Sequence, residues 1–194
     1  MNQSDVITIV SGLPRSGTSM MMSMLEAGGI PPVTDGIRTA DEDNPKGYYE
    51  FERVKKVKED KSWLPDARGK VVKMISQLLL DLPTEGYLYR VVFMRRKIEE
   101  ILASQREMMK RRGTLKDGGP SDKEMGDMLL KHVDQVLRWV DKQPCMQLLE
   151  VDYNATLKNA APHIAAINAF LGGNLDVAAM TAVVDKNLYR QRKD

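Results

Sequence analysis

The sequence predicts an α/β protein, a three-layer sandwich built on a central parallel sheet of four to five strands. Three observations lead there. Short β-branched runs alternate along the whole chain with stretches of helical apolar spacing. The first such run passes through a glycine-bounded loop straight into a helical pattern, VITIVSGLPRSGTSMMMSML. The chain has 194 residues, which suits one domain spanning residues 1–194.

The elements follow in order. Residues 6–10, VITIV, read as a buried parallel strand ended by Ser11-Gly12. Residues 18–27 turn helical, and Gly28-Gly29 stops them. Residues 30–47 are rich in Pro, Gly, Asp and Asn and predict a long loop. A charged helix is expected over 49–61, a second strand over 70–76 and a third over 87–94. A helix over 98–112, a polar glycine-rich loop over 113–122 and an amphipathic helix over 123–142 come next. Residues 146–151, MQLLEV, predict a fourth strand, and 154–171 a helix closed by Gly172-Gly173. A short helix then leads to a basic tail over 185–194. Every crossover is expected to be right-handed.

Composition excludes several classes. The formal net charge is +2, too small to point to nucleic acid. The single cysteine, Cys145, has no partner for a disulfide or a CxxC metal site. His132 and His163 are too few for a zinc site and are expected to be structural. The start lacks the basic region and apolar run of a signal peptide, and no apolar stretch reaches the length of a membrane span. A cytoplasmic location is the default expectation.

The loop from Gly12 to Ser19 has the outline G-x-x-x-x-G-K-S/T of a phosphate cradle, yet Thr18 stands where lysine belongs. Glycines at both ends let successive N–H groups turn inward, and the helix behind adds its positive end. The nearest cation is Arg15, inside the loop. A planar, permanently charged group there suits a short anion close to the backbone better than a triphosphate.

In this loop, LPRSGTS over Leu13, Pro14, Arg15, Ser16, Gly17, Thr18 and Ser19, the chain resembles the sulfotransferases that use 3′-phosphoadenosine 5′-phosphosulfate. Their phosphosulfate loop follows a first strand and has Pro, then Lys or Arg, then Ser or Ala before Gly-Thr. A second motif carries the same resemblance. FMRRKIEEILASQ places Arg96 and Ser104 eight positions apart across the end of a strand and the next helix, as in the family's 3′-phosphate motif. Lys97-Ile98 stands where many members have Asp-Pro or a similar pair. LLEVDYNATLKNAAPHIAAINAFLGG echoes the family's later strand and helix, with Tyr153, Leu157, Phe170, Leu171 and Gly172 as packing residues.

The resemblance implies a P-loop NTPase-like fold and metal-independent in-line transfer of a sulfuryl group to an acceptor hydroxyl or amine. 3′-Phosphoadenosine 5′-phosphosulfate would be the donor and adenosine 3′,5′-bisphosphate the product. Arg15 would hold the sulfonate and bridging oxygen, and Ser16, Gly17, Thr18 and Ser19 the 5′-phosphate. Arg96 and Ser104 would grip the 3′-phosphate in a second cationic pocket, aided by Arg190 and Arg192 of the tail. Lys73 matches the lysine of the family's K-x-H strand and would contact the leaving group, while Ile75 stands in the histidine's place. The general base would then come from the segment after the first helix, with Asp35 the first candidate and Glu50 the second. Arg38 would bind acceptor or donor, and Asp41, Glu42 and Asp43 are expected to be solvated. Tyr48, Tyr49 and Trp63 could line an acceptor pocket or simply pack, and residues 31–49 and 113–122 are lid candidates. The methionines at 20–24 are expected in the core. Two other readings stay open: a nucleotide or small-molecule kinase with a degenerate loop, for which Asp152 is the one strand-end carboxylate able to hold magnesium, and a non-catalytic nucleotide-binding protein.

Overall fold

The computed structural model describes residues 5–37, 49–114 and 118–184. Four parallel strands form the sheet: β1 (Val6–Gly12), β2 (Val71–Lys73), β3 (Leu88–Arg95) and β4 (Met146–Asp152), in the spatial order β2-β1-β3-β4. β1 is buried along its whole length, as a central strand with helices on both faces must be. Its register runs from Val6 opposite Leu88 to Gly12 opposite Met94, and on its other side Val10 faces Lys73.

Alternation along the strands divides the core in two. Ile7, Ile9, Val91 and Phe93 face one layer, where they meet Ile101 of α2 (Ile98–Arg111) and Val133, Val136 and Val140 of α3 (Asp122–Asp141). Val10, Val92 and Met94 face the other layer. There they meet Met21, Met22 and Met24 of α1 (Thr18–Ala27), Ile164 and Ile167 of α5 (Ala160–Phe170) and Met180 of α6 (Val177–Val183). Two-residue periodicity in the strands thus produces the three layers directly. The methionines of α1 are core, as expected.

Three elements differ from the sequence expectation. The segment 49–61 holds no α-helix but a short 3-10 helix, Glu52–Lys56, followed by turns. Its apolar residues Phe51, Val54 and Val57 recur every third position, the period of a 3-10 helix, and Val54 and Val57 are buried. The strand expected over 70–76 stops at Lys73, and a 3-10 helix, Ser76–Asp81, takes over. The helix expected over 154–171 is two helices, α4 (Tyr153–Lys158) and α5, with Asn159 between them at φ −146° and ψ 96°. Pro162 explains the break: inside one continuous helix its ring would clash with the carbonyl of Lys158, whereas in the first turn of α5 it is tolerated.

β1 and β3 are neighbours, but the chain leaves β1 for α1 on one face and leaves β3 for α2 on the other. A crevice therefore opens beyond their carboxyl ends, the place where open α/β sheets bind ligands. Arg15 and Arg96 both sit there. Among the described residues, no helix is long and apolar enough to cross a membrane.

Candidate active site at the strand ends

The loop between β1 and α1 is shaped by three residues with positive φ: Gly12 at 147°, Arg15 at 76° and Gly17 at 98°. A Cβ on Gly12 would lie 2.5 Å from Ser16 Oγ and 2.8 Å from the Met94 carbonyl oxygen, and one on Gly17 would lie 2.3 Å from the Tyr153 ring. Both positions therefore require glycine for space as well as for conformation. Leu13 drops into the core and anchors the loop, while Pro14 is exposed. The Ser16 N–H closes a turn on the Leu13 carbonyl at 3.1 Å.

Arg15 is the one residue other than glycine with positive φ among the described residues. Such a backbone costs about 1–3 kcal/mol and persists only where its surroundings enforce it. Here they do. Arg96 Nη1 donates to the Arg15 carbonyl at 3.0 Å, and Gln105 Nε2 donates to the Pro14 carbonyl at 3.2 Å. The Arg15 side chain turns to the second motif, where its Nε donates to Ser104 Oγ at 2.9 Å. Hydrogen bonds thus join the two motifs at one corner of the sheet.

The start of α1 carries no acidic residue and no side-chain cap among the described residues, and Gly17 is its N-cap. The leading N–H groups of the helix thus point at the crevice without a built-in acceptor from a cap. Lys73, at the end of β2, donates from Nζ to Ser19 Oγ at 2.9 Å, which brings a second cation to the same helix turn. Ser11 Oγ and Ser16 Oγ are buried at the loop without a hydrogen-bond partner among the described residues. An uncapped helix start, the hydroxyls of Thr18 and Ser19, and two cations fit the oxygens of a phosphate or sulfate group.

Arg96 is placed differently. Its side chain is 8% exposed, its Nε donates to Glu100 Oε2 at 2.9 Å, and Glu100 is fully buried. Asn154 Nδ2 donates to both Glu100 oxygens, at 2.9 and 3.0 Å. The Arg96 guanidinium also lies 4.8 Å from the centre of the Tyr153 ring, the ring that fills the space beside Gly17. Glu100, Asn154, Gln105 and Tyr153 were not read from the sequence as loop contacts. Glu100 carried a signal, since it lies one helical turn after Arg96. Asn154 reaches the site from another strand end and carried none.

The two candidate bases come together. Val33 and Pro31 hydrogen-bond to Val71, and a parallel bridge joins Pro32 to Val71, so the chain past residue 33 runs beside β2 toward the crevice edge. The Asp35 N–H donates to the Glu50 carbonyl at 3.3 Å. Asp35 Oδ2 accepts from the Glu52 N–H at 2.6 Å and Oδ1 from the Ile37 N–H at 3.1 Å. The bond from Glu52 is the main reason its carboxyl is held below the ordinary aspartate value. Tyr49 ties this segment to α1, accepting from Ser23 Oγ at 3.1 Å and donating to Glu26 Oε2 at 2.5 Å.

Ile75 is 47% exposed, and the neighbouring Ser76 is buried with its Oγ 2.9 Å from His132 Nε2. Trp63 is in the core, edge-on to Phe51 with ring centres 5.6 Å apart. Asp152 caps α4, accepting the Ala155 N–H at 2.8 Å. Arg38, Asp41, Glu42, Asp43, Tyr48, Arg190 and Arg192 lie outside the described residues. A cavity of about 370 Å³ opens at the opposite end of the sheet, lined by Val6, Thr8, Gly69 and Arg90, and shares no residue with the loop.

No protein-family profile and no curated protein matches the chain. Solved structures do. The sulfotransferase domain from the Synechococcus PCC 7002 olefin synthase aligns with a TM-score of 0.57 at 12% identity, covering 100% of this chain and 82% of that one. The sulfotransferase domain from the curacin biosynthetic pathway aligns with a TM-score of 0.49 at 14% identity, covering 88% and 75%. At 12% identity the first likeness is one of fold, and it agrees with the three-layer architecture described above.

Proposed function

We propose that this chain is a sulfotransferase that moves a sulfuryl group from 3′-phosphoadenosine 5′-phosphosulfate to an acceptor hydroxyl or amine. The observation that carries the reading is the β1–α1 junction, where an uncapped helix start meets Arg15 from within the loop and Lys73 from β2. The donor supplies a sulfuryl group on a nucleotide phosphate, already a good leaving group. In transfer, the S–O bond to that phosphate breaks and an S–O bond to the acceptor forms. The proton leaves the acceptor for a base on the protein.

Arg15, Thr18, Ser19 and the first N–H groups of α1 would bind and orient the phosphosulfate. Lys73 would shift from Ser19 toward the bridging oxygen and balance the charge that collects there. Arg96 and Ser104 would form the wall of the same pocket on the 3′-phosphate side. Of the two candidate bases, Glu50 is preferred. Asp35 engages both oxygens with backbone N–H groups, which makes it the weaker candidate.

Calorimetry with adenosine 3′,5′-bisphosphate tests the reading. The bisphosphate should bind without metal, and Arg15→Ala should weaken it about thirtyfold, as expected for loss of a charge-assisted contact worth ~2 kcal/mol. Tighter binding of ATP with magnesium than of the bisphosphate would overturn it. If the bisphosphate binds, transfer to a panel of phenols, sugars and amines then identifies the acceptor class.

A further inference from the structure

Arg96 is engaged at Nε, at Nη1 and across its plane. Its charge is met by Glu100, its Nη1 is spent on the Arg15 carbonyl, and its plane lies over Tyr153. Glu100 in turn is held from the far side by Asn154, whose Oδ1 accepts the Lys97 N–H at 3.3 Å. The assembly touches the loop twice. Arg96 holds the carbonyl of Arg15, the residue with the disfavoured backbone, and Tyr153 packs against the Cα of Gly17. Burying an ion pair is seldom a net source of stability, because desolvation cancels most of the attraction. What such a pair does supply is a fixed position for the groups bonded to it.

We propose that Glu100, Arg96 and Asn154 form a buried strut that sets the shape of the anion-binding loop, so that Arg96 acts on donor binding as a positioning residue through Arg15 rather than as a ligand of the 3′-phosphate. This rests on the sulfotransferase reading only for the identity of the ligand. The strut itself is a property of the ligand-free chain. Replacing Glu100 leaves Arg96 free to relocate, releases the Arg15 carbonyl and lets the loop sample other shapes. Affinity for any phosphate group in the loop then falls, whatever the rest of the ligand carries.

Two ligands and one exchange measurement test this. Adenosine 3′,5′-bisphosphate and adenosine 5′-monophosphate differ by the 3′-phosphate alone. In Glu100→Gln and Arg96→Lys, both ligands should weaken by the same factor, roughly tenfold, leaving the ratio of their affinities at the wild-type value. A loss confined to the bisphosphate, with monophosphate binding intact, would show a direct 3′-phosphate contact and overturn the proposal. In the ligand-free protein, hydrogen exchange at the Ser16 amide should quicken roughly tenfold in either variant, with α5 amides reporting global stability separately. Unchanged exchange at Ser16 would also overturn it. Should the wild-type protein bind neither nucleotide, the sulfotransferase reading fails and the exchange result alone decides the strut. If Glu100→Gln does not fold, Arg96→Lys carries the test, since lysine keeps the charge but lacks the planar fork.

Discussion

Two strand-to-helix junctions stand side by side at one edge of the sheet, and they treat charge in opposite ways. At the β1–α1 junction the helix begins with Thr18 and Ser19, no acidic residue lies in its first turn, and no side chain caps it among the described residues. At the β3–α2 junction the helix begins with Glu99 and Glu100 in its first turn. Both junctions carry an arginine. Arg15 at the first is half-buried and donates to a hydroxyl, Ser104 Oγ, while Arg96 at the second is paired with Glu100 and buried. The second helix brings its own anion and the first does not. On the reading proposed here, an arginine beside a helix start does not suffice for an anion site; the helix must also lack an internal acceptor.

The comparison can be broken most severely at the sealed junction. Arg96→Ala should cost about 3–5 kcal/mol in chemical denaturation, because it leaves Glu100 buried without its cation. The paired change Arg96→Met with Glu100→Leu should recover most of that stability, while nucleotide affinity stays low. Recovery of both would mean that the ion pair has no positioning role.

Gly17→Ala comes next, at about 3 kcal/mol, since it forces a methyl group into the Tyr153 ring at φ 98°. A thermal melt measures it. A second substitution, Tyr153→Leu, should relieve part of the loss, and failure to do so would put the cost in the backbone alone.

Lys73→Ala sharpens the open junction. It should weaken nucleotide binding by roughly tenfold in calorimetry and leave stability within about 1 kcal/mol, because Lys73 is only half-buried.

The smallest effect lies at Asp35. Its carboxyl titrates below 3.8 in the folded chain, so its stabilising contribution is complete above pH 3.8 and fades as pH falls through the lower folded value. Asp35→Asn should flatten the acid limb of the stability profile slightly and leave nucleotide binding at neutral pH unchanged. If Asp35 is instead the base, the same variant abolishes transfer, whereas Glu50→Gln does so on the reading proposed here.

How much of this was legible in the chain varies by residue. α1 stands at the bounds that its apolar spacing and Gly28-Gly29 predict, and β3 and β4 lie within one residue of theirs. Periodicity and glycine act locally, so a linear sequence reports them well. The split at Asn159 was also written there, in Pro162. The 3-10 segment after Phe51 was misread because a three-residue repeat resembles a helix until its partners are known. Gly12 and Gly17 were legible because the backbone turn needs them, and Arg15 was legible as the cation within the loop. Arg96 and Ser104 were legible as a spaced pair, but the direction in which they face was not.

Sequence alone determined the layers and the loop: strand alternation dictates two apolar faces, and closely spaced glycines dictate a turn lined with N–H groups. Only the tertiary structure decided the charge pairing. Arg15 meets Ser104 across 89 positions, and Asn154 meets Glu100 across 54. Which cation is paired with a buried carboxylate and which donates to a hydroxyl depends on contacts between distant segments. The energy of those contacts is set by burial, and burial exists only once the sheet has assembled.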